Sequence, residues 1–462
     1  MTVTTRPPRQ PPVADGATGQ RSTARPARNV ALVVAANGVV VVGLWLRHGG
    51  LGASSGPGGV LTGIGQVSGL LGTYAVLLQL LLMARVPVLE RHLGFDGLAR
   101  WHRWNGFASL TLILTHAVTI TLGYAAAGRL TVFGQVGDFV RHYPDVLMAT
   151  LATAMLVGIA VTSARAARAR LKRETWYFVH LYAYLAVALG FAHQLAVGTD
   201  FVDDRAARIW WVAMYVAVGG SILAWRVGRP LRFNAHHRLR VAGVVDEAPG
   251  VFSVYLTGRD LARVGADAGQ FFLWRFLTRD GWWQAHPFSL SAAPDGRALR
   301  ITVKDLGDYT HRMRQLRPGG RVFAEGPYGT FTAARRTRRR VLLIAGGIGI
   351  TPLRALLETL PGDRGDITLV YRVQRAQDFV FRQELERLAL DRGIVIHPIA
   401  GTDVGDDETD RLGVPALRRM VPDVADRDVY LCGPPGLVDA LHRRLRRLGV
   451  PRGRIHAERF AY

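Results

Sequence analysis

Apolar residues are concentrated in six long stretches within the first half of the chain, and Pro, Gly and polar residues separate them. Each stretch has about 18–23 residues, which is the length that an α-helix needs to cross about 30 Å of hydrocarbon. The pattern therefore predicts a bundle of six membrane-spanning helices. The six stretches are Asn29–Leu46, Gly63–Ala84, Asn105–Ala127, Val146–Ala164, Thr175–Val197 and Arg208–Val227.

The pattern changes after residue 231. Between Arg238 and Arg321, short β-rich runs alternate with Gly, Pro and Asp turns, which predicts a small antiparallel β-barrel. From Arg340 onwards, strand, loop and helix follow one another repeatedly, which predicts a doubly wound α/β domain with a parallel sheet. We therefore divide the chain into a disordered cytosolic tail at 1–28, a six-span membrane domain at 29–230, a β-barrel domain at 231–334 and an α/β domain at 335–462.

The distribution of charge predicts the orientation of the spans. The 462-residue chain is 49% hydrophobic and yet has a formal net charge of +23. The N-terminal tail, the second and fourth loops and the stretch after the sixth span hold 19 basic residues, whereas the other three loops hold 5. Because basic loops stay in the cytosol, both termini are expected to be cytosolic. Charges shared among loops in this way disfavour nucleic-acid binding.

Four histidines lie in the third and fifth predicted spans, and an ionisable side chain inside a span suggests a functional site. His102 and His116 are fourteen residues apart, and His180 and His193 are thirteen apart. Both spans run outward from the cytosol, so the two sets match in depth, about 20 Å apart at 1.5 Å per residue. Two bis-histidine haems stacked across a bilayer require this arrangement. The alternative is that a carbonyl or headgroup water satisfies each histidine separately.

The helical angles of these histidines fit the haem hypothesis less well. At 100° per residue, His116 lies within about 40° of His102, but His193 lies about 140° from His180. The fifth helix is therefore expected either to be irregular or to present its two histidines from different flanks.

Two motifs follow strands of the predicted barrel. HPFSLSAAP spans His286–Pro294, and VKDLGDYT spans Val303–Thr310. Gly307 lets the backbone approach a pyrophosphate, and the Thr310 hydroxyl and nearby N–H groups can hydrogen-bond its oxygens. An ordinary turn before a helix is the alternative explanation of the second motif.

Two further motifs end strands of the α/β domain, where a doubly wound fold binds its ligand. LIAGGIGITP (Leu343–Pro352) opens a helix, whose N-terminal amides attract phosphate, and CGPPG (Cys432–Gly436) ends a later strand. A packing role is the alternative for Cys432, which as the sole cysteine excludes an intramolecular disulfide and a four-thiolate iron–sulfur cluster. Arg372 and Arg375 follow the second strand, where arginine reads a ribose 2′-phosphate, and they favour NADPH over NADH.

From His102 to its end, the chain resembles the ferric reductase/NADPH oxidase group of membrane flavocytochromes, whose cytosolic half is a ferredoxin–NADP reductase module. The resemblance implies that the barrel binds FAD, that the α/β domain binds NAD(P), and that EGPYG (Glu325–Gly329) links the two. Ile120 stands where the eukaryotic oxidases have a further histidine, which disfavours superoxide production. The implied ligands of two b-type haems are His102, His116, His180 and His193.

The resemblance also implies roles for residues of the cytosolic half. The C-terminal AERFAY resembles the aromatic ending of the family, so Phe460 is expected against the flavin, with Tyr462 as the alternative. Phe460 and Cys432 are the implied catalytic residues. Flavin contacts are implied for His286, Pro287, Phe288, Ser289, Gly307, Tyr309 and Thr310. Dinucleotide contacts are implied for Gly346, Gly347, Gly349, Thr351, Pro352, Cys432, Gly433 and Pro434.

The expected function is that of a plasma-membrane oxidoreductase. It passes electrons from cytosolic NADPH, with NADH as the alternative, through FAD and two haems to an acceptor outside the cytosol. Ferric chelates, O2 and quinones fit equally, because an iron with both axial positions filled binds no oxygen directly. The lipid bilayer is the expected partner, and a homo-oligomer is an option. Two alternatives stay open: a haem-free membrane-anchored FAD/NAD(P)H reductase of a cytosolic carrier, and a non-catalytic haem subunit of a larger complex.

Overall fold

The computed structural model of the chain describes residues 24–50, 56, 58–171, 173–279, 281–401 and 410–460. Most of the tail predicted at 1–28, and also Tyr462, lie outside the described residues. A helical membrane domain comes first and is followed by two β-containing lobes, which together we name the reductase module (residues 238–460).

The membrane domain contains six helices that are long and apolar enough to cross a bilayer, as the hydrophobic pattern predicted. These spans lie in α1 (Ala24–Arg47), α2 (Gly59–Leu82), α3 (Pro87–Gly128), α5 (Val146–Ser163), α7 (Arg173–Val197) and α9 (Arg205–Ser221), the last of which continues into α10 (Arg229–His237). Shorter helices between them are α4 (Val132–His142), α6 (Arg165–Arg168) and α8 (Thr199–Val202). The most extensive packing joins α2 to α3 and α5 to α7. These two helix pairs bring α3 and α7 into position for the histidines described below.

Two of the spans are longer than the sequence predicted. Helix α3 begins at Pro87 and bends at Gly94, whose φ of 68° and ψ of 158° are non-helical. Glycine adopts this conformation readily, so the chain turns there and continues. The sixth span runs through a π-helical turn, Ile222–Gly228, directly into α10. The predicted limits at Asn105 and Val227 are therefore wrong, because both helices extend toward the reductase module.

The sequence pattern missed helix α4, which links α3 to α5. Its 11 residues are too few to cross a bilayer, so a pattern of span-length apolar stretches does not include it. The Thr131 hydroxyl accepts a hydrogen bond from Gly134 N and begins the helix. Phe139 packs against Tyr124 of α3, with ring centroids 5.2 Å apart, and this contact fixes α4 to the end of the span.

The first lobe of the reductase module is antiparallel. Its strands are β1 (Arg240–Ala248), β2 (Val251–Thr257), β3 (Phe271–Phe276), β4 (His286–Ser289), β5 (Leu299–Lys304) and β6 (Val322–Tyr328), with helix α11 (Asp308–Met313) between β5 and β6. They form two three-stranded sheets, in the orders β1-β2-β5 and β4-β3-β6. Single bridges, Leu290 to Ile301 and Arg240 to Arg321, join the two sheets. Alternate residues such as Phe252 and Trp274 fill the space between them.

The second lobe is the predicted doubly wound α/β domain. Its elements are β7 (Val341–Gly346), α12 (Ile350–Thr359), β8 (Ile367–Val373), α13 (Arg382–Arg392), β9 (Val395–Ala400), α14 (Val414–Met420), β10 (Asp428–Gly433), α15 (Pro435–Arg447) and β11 (Ile455–Arg459). The five parallel strands follow the order β11-β10-β7-β8-β9, so the direction of winding reverses between β7 and β10. Helices α12 and α13 cover one face and α14 and α15 the other. Ligands of such sheets bind at the carboxyl ends of the strands beside this reversal.

Candidate functional site

The four membrane histidines form two pairs, one from α3 and one from α7 in each. The inner pair, His102 and His180, lies nearer the reductase module, and its ring centroids are 6.0 Å apart. In the outer pair, His116 and His193, they are 6.4 Å apart, and the interplanar angle is 61° in both pairs. Helix α7 is α-helical from Arg173 to Val197. Of the two alternatives expected for the fifth helix, an irregular helix is therefore wrong, and the second holds: α7 presents its histidines from different flanks.

Helix α2 orients both histidines of α3. The Nδ1 atom of His102 lies 3.2 Å from the carbonyl oxygen of Gln79, and that of His116 lies 2.8 Å from the carbonyl oxygen of Gly65. A carbonyl only accepts hydrogen bonds, so Nδ1 carries the proton and the Nε2 lone pair is left to bind a metal. Helix α2 and the His116 ring approach each other closely, since a Cβ on Gly69 would lie only 2.5 Å from His116 Nδ1.

The histidines of α7 have weaker support. The Trp176 ring stacks on His180 at a centroid distance of 5.0 Å and donates from Nε1 to the Ser163 hydroxyl. That hydroxyl lies 3.5 Å from His180 Nδ1. For His193, the part of the chain that the structure describes supplies no hydrogen-bond partner to the buried Nδ1 atom.

Both pairs fit a bis-histidine haem. An imidazole nitrogen binds a metal at about 2 Å, and the ring centroid lies about 1 Å further back, so two rings on opposite sides of one iron have centroids about 6 Å apart. The two measured separations, 6.0 and 6.4 Å, meet this requirement. Two imidazoles that shared a hydrogen bond would have to approach more closely, because their nitrogens would be about 3 Å apart.

The first four residues of HPFSLSAAP, His286–Ser289, which we name the flavin motif, form β4, the short edge strand of its sheet. The His286 ring stacks on the Tyr309 ring, with centroids 3.8 Å apart and an interplanar angle of 23°. Trp274 of β3 donates from Nε1 to the Phe288 carbonyl at 2.9 Å and so fixes the backbone of the motif. Burial raises the pKa of Tyr309 to about 12, so its hydroxyl stays protonated. Residues predicted separately from two motifs are thus in contact.

The turn that contains Gly307 is held by its own threonine. The Thr310 hydroxyl accepts hydrogen bonds from the Leu306 and Gly307 amides, at 2.9 and 3.1 Å. The hydroxyl thus caps the start of α11, and its contact with a pyrophosphate stays a prediction. The backbone at Gly307 remains open, since a Cβ there would meet no atom within 4 Å.

The dinucleotide motifs meet at the reversal of the parallel sheet. A Cβ on Gly349 would lie 2.2 Å from the Cys432 carbonyl oxygen, and one on Gly346 would lie 2.4 Å from Leu437 Cδ2. Gly347 adopts a φ of 55°, which glycine allows. These residues let the ends of β7 and β10 approach one another, with Gly433 and Pro434 beside Gly346.

Thr351, Pro352 and Cys432 of these motifs are buried. Thr351 and Pro352 lie within the first turn of α12, and the Thr351 hydroxyl donates to the Ile348 carbonyl at 3.1 Å. Cys432 is 1% exposed, and burial raises the pKa of its thiol well above the ordinary value. The structure therefore gives Thr351 and Cys432 packing contacts.

One cavity joins the inner histidine pair to the flavin motif. It has a volume of about 2670 Å³, and His102, His180, His286 and Phe460 are all in its wall. Pro287 and Ser289 line it as well. The Phe460 amide donates to the Gly433 carbonyl at 3.1 Å, which fixes the C-terminal segment beside the dinucleotide motif.

The two arginines expected to read a ribose 2′-phosphate differ in their surroundings. Arg372 lies 3.6 Å from buried Asp410, whose other carboxylate oxygen binds Arg444 at 2.6 Å. Arg375 is paired with Asp378 at 3.2 Å, but its side chain is 69% exposed. Arg375 is therefore the better placed to meet a ligand from solvent.

Sequence reasoning missed an ion network between the two lobes, which we name the interlobe network (Arg300, Arg354, Glu358 and Glu384). Arg300 of β5 binds Glu384 of α13 through two hydrogen bonds, at 2.8 and 3.1 Å. Arg354 of α12 joins Glu384 at 2.7 Å and Glu358 at 2.8 Å. Both arginines also donate to the Ser291 carbonyl, two residues beyond the flavin motif. An arginine inside the apolar run LRITV was the available signal, because a buried charge needs a partner.

Three family descriptions match successive parts of the chain. "Ferric reductase like transmembrane component" matches residues 68–191, "FAD-binding domain" matches 253–332, and "Oxidoreductase NAD-binding domain" matches 343–443. The first match covers most of α2 and α7 and all of α3 and α5. The other two correspond to the two lobes of the reductase module.

Relatives resemble the reductase half. A flavohemoprotein of Deinococcus radiodurans is 30% identical over 266 residues, 54% of this chain and 62% of that protein. Ferredoxin–NADP reductase B of Sorangium cellulosum is 31% identical over 188 residues, 37% of this chain and 77% of that protein. The solved FAD/NAD-binding domain of a Vibrio cholerae nitric oxide dioxygenase is 26% identical, with a TM-score of 0.41, over 49% of this chain and 99% of that domain. The chain spans 62% and 45% of the flavohemoproteins of D. radiodurans and V. cholerae.

Proposed function

The chain belongs to the ferric reductase-like membrane oxidoreductases with a ferredoxin–NADP reductase-type module, and on that premise we propose that it carries electrons from cytosolic NADPH to an acceptor outside the cytosol, using FAD and two bis-histidine b-type haems. It is an NAD(P)H-dependent oxidoreductase with a multi-pass membrane domain. When bound, FAD accepts a hydride from the nicotinamide and each haem iron exchanges a single electron.

The observation that carries the proposal is the shared cavity. The inner histidine pair and the flavin motif line one continuous space, so a haem and a flavin held there would be neighbours. A haem-free reductase would gain nothing from two imidazoles in that wall. The outer pair then extends the same path, since it lies further along the same two helices with nearly the same ring separation.

Residues of the chain have separate roles in this function. His102 and His116, oriented by carbonyls of α2, would hold the irons from one side, and His180 and His193 from the other. His286, Ser289 and Phe460 line the same cavity. The first two would contact the flavin, and Phe460 would cover it on the side where a nicotinamide must enter. Backbone amides at the start of α12 would bind the dinucleotide phosphates.

The choice of NADPH is assigned to Arg375. Its exposed guanidinium can reach a 2′-phosphate, whereas Arg372 is held by Asp410. Replacing Arg375 by alanine is expected to raise KM for NADPH about tenfold, with KM for NADH unchanged. An equal change for the two cofactors would reject the assignment.

His116 and His193 would hold the iron of the outer haem from both sides, so the acceptor would exchange electrons with that haem without binding its iron. This favours ferric chelates, O2 and quinones alike. The excess of basic residues in the loops supports cytosolic termini, which would put the outer pair near the outer surface of the plasma membrane.

Optical spectra of the purified protein test the proposal. The wild type is expected to show a Soret band and a sharp reduced α band, both reduced anaerobically by NADPH when FAD is present. His102→Leu and His116→Leu should each remove about half of the haem while NADPH still reduces the flavin. His142→Leu is the matched control, because His142 is exposed on α4 and is expected to leave the haem content unchanged.

Three results would contradict the proposal, each in favour of another function. Absence of haem bands after haem supplementation would favour the anchored reductase. Bands that NADPH fails to reduce would favour the non-catalytic subunit. Full haem content in both histidine variants would reject the ligands named here.

A further inference from the structure

Arg85, in the segment between α2 and α3, contacts the reductase module. Its guanidinium carbon lies 4.1 Å from the ring centroid of Tyr328 and 4.3 Å from that of Phe95. Its Nη1 atom lies 3.4 Å from Glu90 Oε1. Phe95 and Glu90 belong to α3, whereas Tyr328 ends strand β6. One planar cation thus stands between two aromatic rings, one from each half of the protein.

The surroundings of Arg85 indicate a built contact. Its side chain and that of Glu90 are each 12% exposed, and Tyr328 is 3% exposed. Arg85 adopts a φ of 63°, a left-handed conformation that is uncommon for residues other than glycine. Such a conformation persists when surrounding contacts over-determine it. Cation–π stacking is strongest where water is excluded, as it is here.

Strand β6 connects this contact to the flavin site. Phe271 of β3 is paired with Tyr328 of β6 on one side and with Ser289 of the flavin motif on the other. The upstream part of β6 is fixed to the membrane domain as well. Asn234 of α10 exchanges two hydrogen bonds with the backbone of Ala324, at 2.7 and 2.8 Å. The membrane domain therefore contacts β6 at two points, two strands away from the flavin.

We propose that Arg85 is a positioning residue that docks β6 on the membrane domain and so sets the separation between the flavin site and the inner histidine pair. The inference rests on the proposed function and deepens it. Arg85 acts through Tyr328 and β6, so it governs the transfer of electrons out of the flavin and leaves the reduction of the flavin by NADPH unchanged.

Arg85→Ala separates the two half-reactions. Haem content and the anaerobic rate of flavin reduction by NADPH are expected to equal those of the wild type. The subsequent rate of haem reduction is expected to fall severalfold, because electron tunnelling slows exponentially as the separation between donor and acceptor grows. Arg85→Lys should recover only part of the rate, since an ammonium keeps the charge without the planar stacking surface.

Two variants of Tyr328 test the partner. Tyr328→Phe keeps the ring face and should behave as the wild type. Tyr328→Leu should behave as Arg85→Ala, and the double variant should be no slower than either single variant, because both remove the same contact. Arg129→Ala is the control for backbone strain. Arg129 also has a positive φ, 52°, but is exposed at the opposite end of α3, so both half-reactions should be unchanged.

Hydrogen exchange gives a readout that does not depend on activity. The backbone amides of residues 84–95 and 328–332 should exchange faster in Arg85→Ala than in the wild type, whether or not cofactors are bound. If the wild type holds no haem, the proposed function fails, yet this measurement still decides the docking contact.

Several results would overturn the inference. Arg85 forms part of the cavity wall, so loss of haem or an altered haem spectrum in Arg85→Ala would make it part of the haem site instead. Equal slowing of both half-reactions would indicate a general structural role. Unchanged haem reduction together with unchanged hydrogen exchange would reject the contact altogether.

Discussion

Replacing Glu384 by alanine is expected to destabilise the reductase module and to weaken FAD binding. The Glu384 carboxylate faces Arg300 and Arg354, whose side chains are only 5% and 10% exposed. Both guanidiniums donate to the Ser291 carbonyl and so fix the chain just beyond the flavin motif. Without Glu384, Arg300 loses its carboxylate partner and becomes a buried, uncompensated charge.

The size of the effect follows from burial. Removing one partner of a fully buried ion pair costs about 3–5 kcal/mol. The Glu384 side chain is 30% exposed, so water replaces part of the lost interaction and about 2 kcal/mol remains. For a domain of about 150–250 residues, this loss lowers Tm by about 4–8 °C. The control is Glu386 on the same helix, which is 61% exposed and paired with Arg382, worth about 0.3–0.5 kcal/mol.

Flavin fluorescence during heating of the purified full-length protein measures this difference. The release of FAD in Glu384→Ala should occur at least about 4 °C below that of the wild type, and in Glu386→Ala less than about 2 °C below it. Titration of FAD into flavin-depleted protein should show weaker binding for the Glu384 variant alone. Equal shifts in the two variants would refute the reasoning, because they would show that burial within the interlobe network has no special effect.

Three further predictions concern the reductase module. Burial alone would raise the pKa of Glu384, but hydrogen bonds and charges from the two arginines outweigh it and lower the pKa below 4.5. The carboxylate therefore stabilises the fold above about pH 4.5 and ceases to do so as the pH falls through the lowered pKa. The difference in stability between the wild type and Glu384→Gln should therefore vanish on acidification, and a difference that grows would contradict this reasoning. Maleimide should label Cys432 about a hundredfold more slowly in the folded protein than after denaturation, and rapid labelling of the native state would disprove its burial. Gly349→Ala should cost about 1–3 kcal/mol in thermal unfolding because its Cβ would strike the Cys432 carbonyl, whereas Gly436→Ala, with open space, should cost nothing; equal stability of the two variants would count against this packing.

The features that sequence predicted well depend on local regularities. Six spans follow from apolar stretches of bilayer length, and the parallel sheet follows from strand, loop and helix in alternation. The pairing of His102 with His180 and of His116 with His193 followed from depth alone, since two co-directional helices with similar spacings must place their histidines at matching heights. In these cases the lengths of local segments and the spacing of residues within them determine the geometry.

The features that were not predicted from the sequence are contacts between distant residues and the helix α4, which is too short to give a span-length apolar stretch. Arg300 and Glu384 are 84 positions apart, and only the packing of one lobe against the other brings them together. Asp410 lies in the connection between β9 and α14, whereas Arg372, which it binds, belongs to β8. The cap that the Thr310 hydroxyl forms with the Leu306 and Gly307 amides was also not predicted. No local pattern distinguishes these outcomes.

Helix α2 carries no ligand, yet its geometry mirrors that of α3. Gly65 and Gln79, whose carbonyls accept from His116 and His102, are fourteen residues apart, the same separation as the two histidines. The helices run in opposite directions, so equal spacings keep both contacts on one seam. Backbone carbonyls belong to every residue and leave no signature in a sequence. The detectable signal is Gly65 and Gly69, a small-xxx-small pattern that lets two helices approach closely.

This seam makes Gly69→Ala a specific test of how α2 positions the outer pair. The added Cβ would lie 2.5 Å from His116 Nδ1, so either the imidazole must turn away from the Gly65 carbonyl or α2 must separate from α3. Haem held by the outer pair should be lost, and total haem should fall toward half, while NADPH still reduces the haem at the inner pair. Gly43→Ala in α1, where a Cβ meets no atom within 4 Å, should retain all of its haem. Full haem content in Gly69→Ala would show that the close approach of α2 does not hold His116 in place.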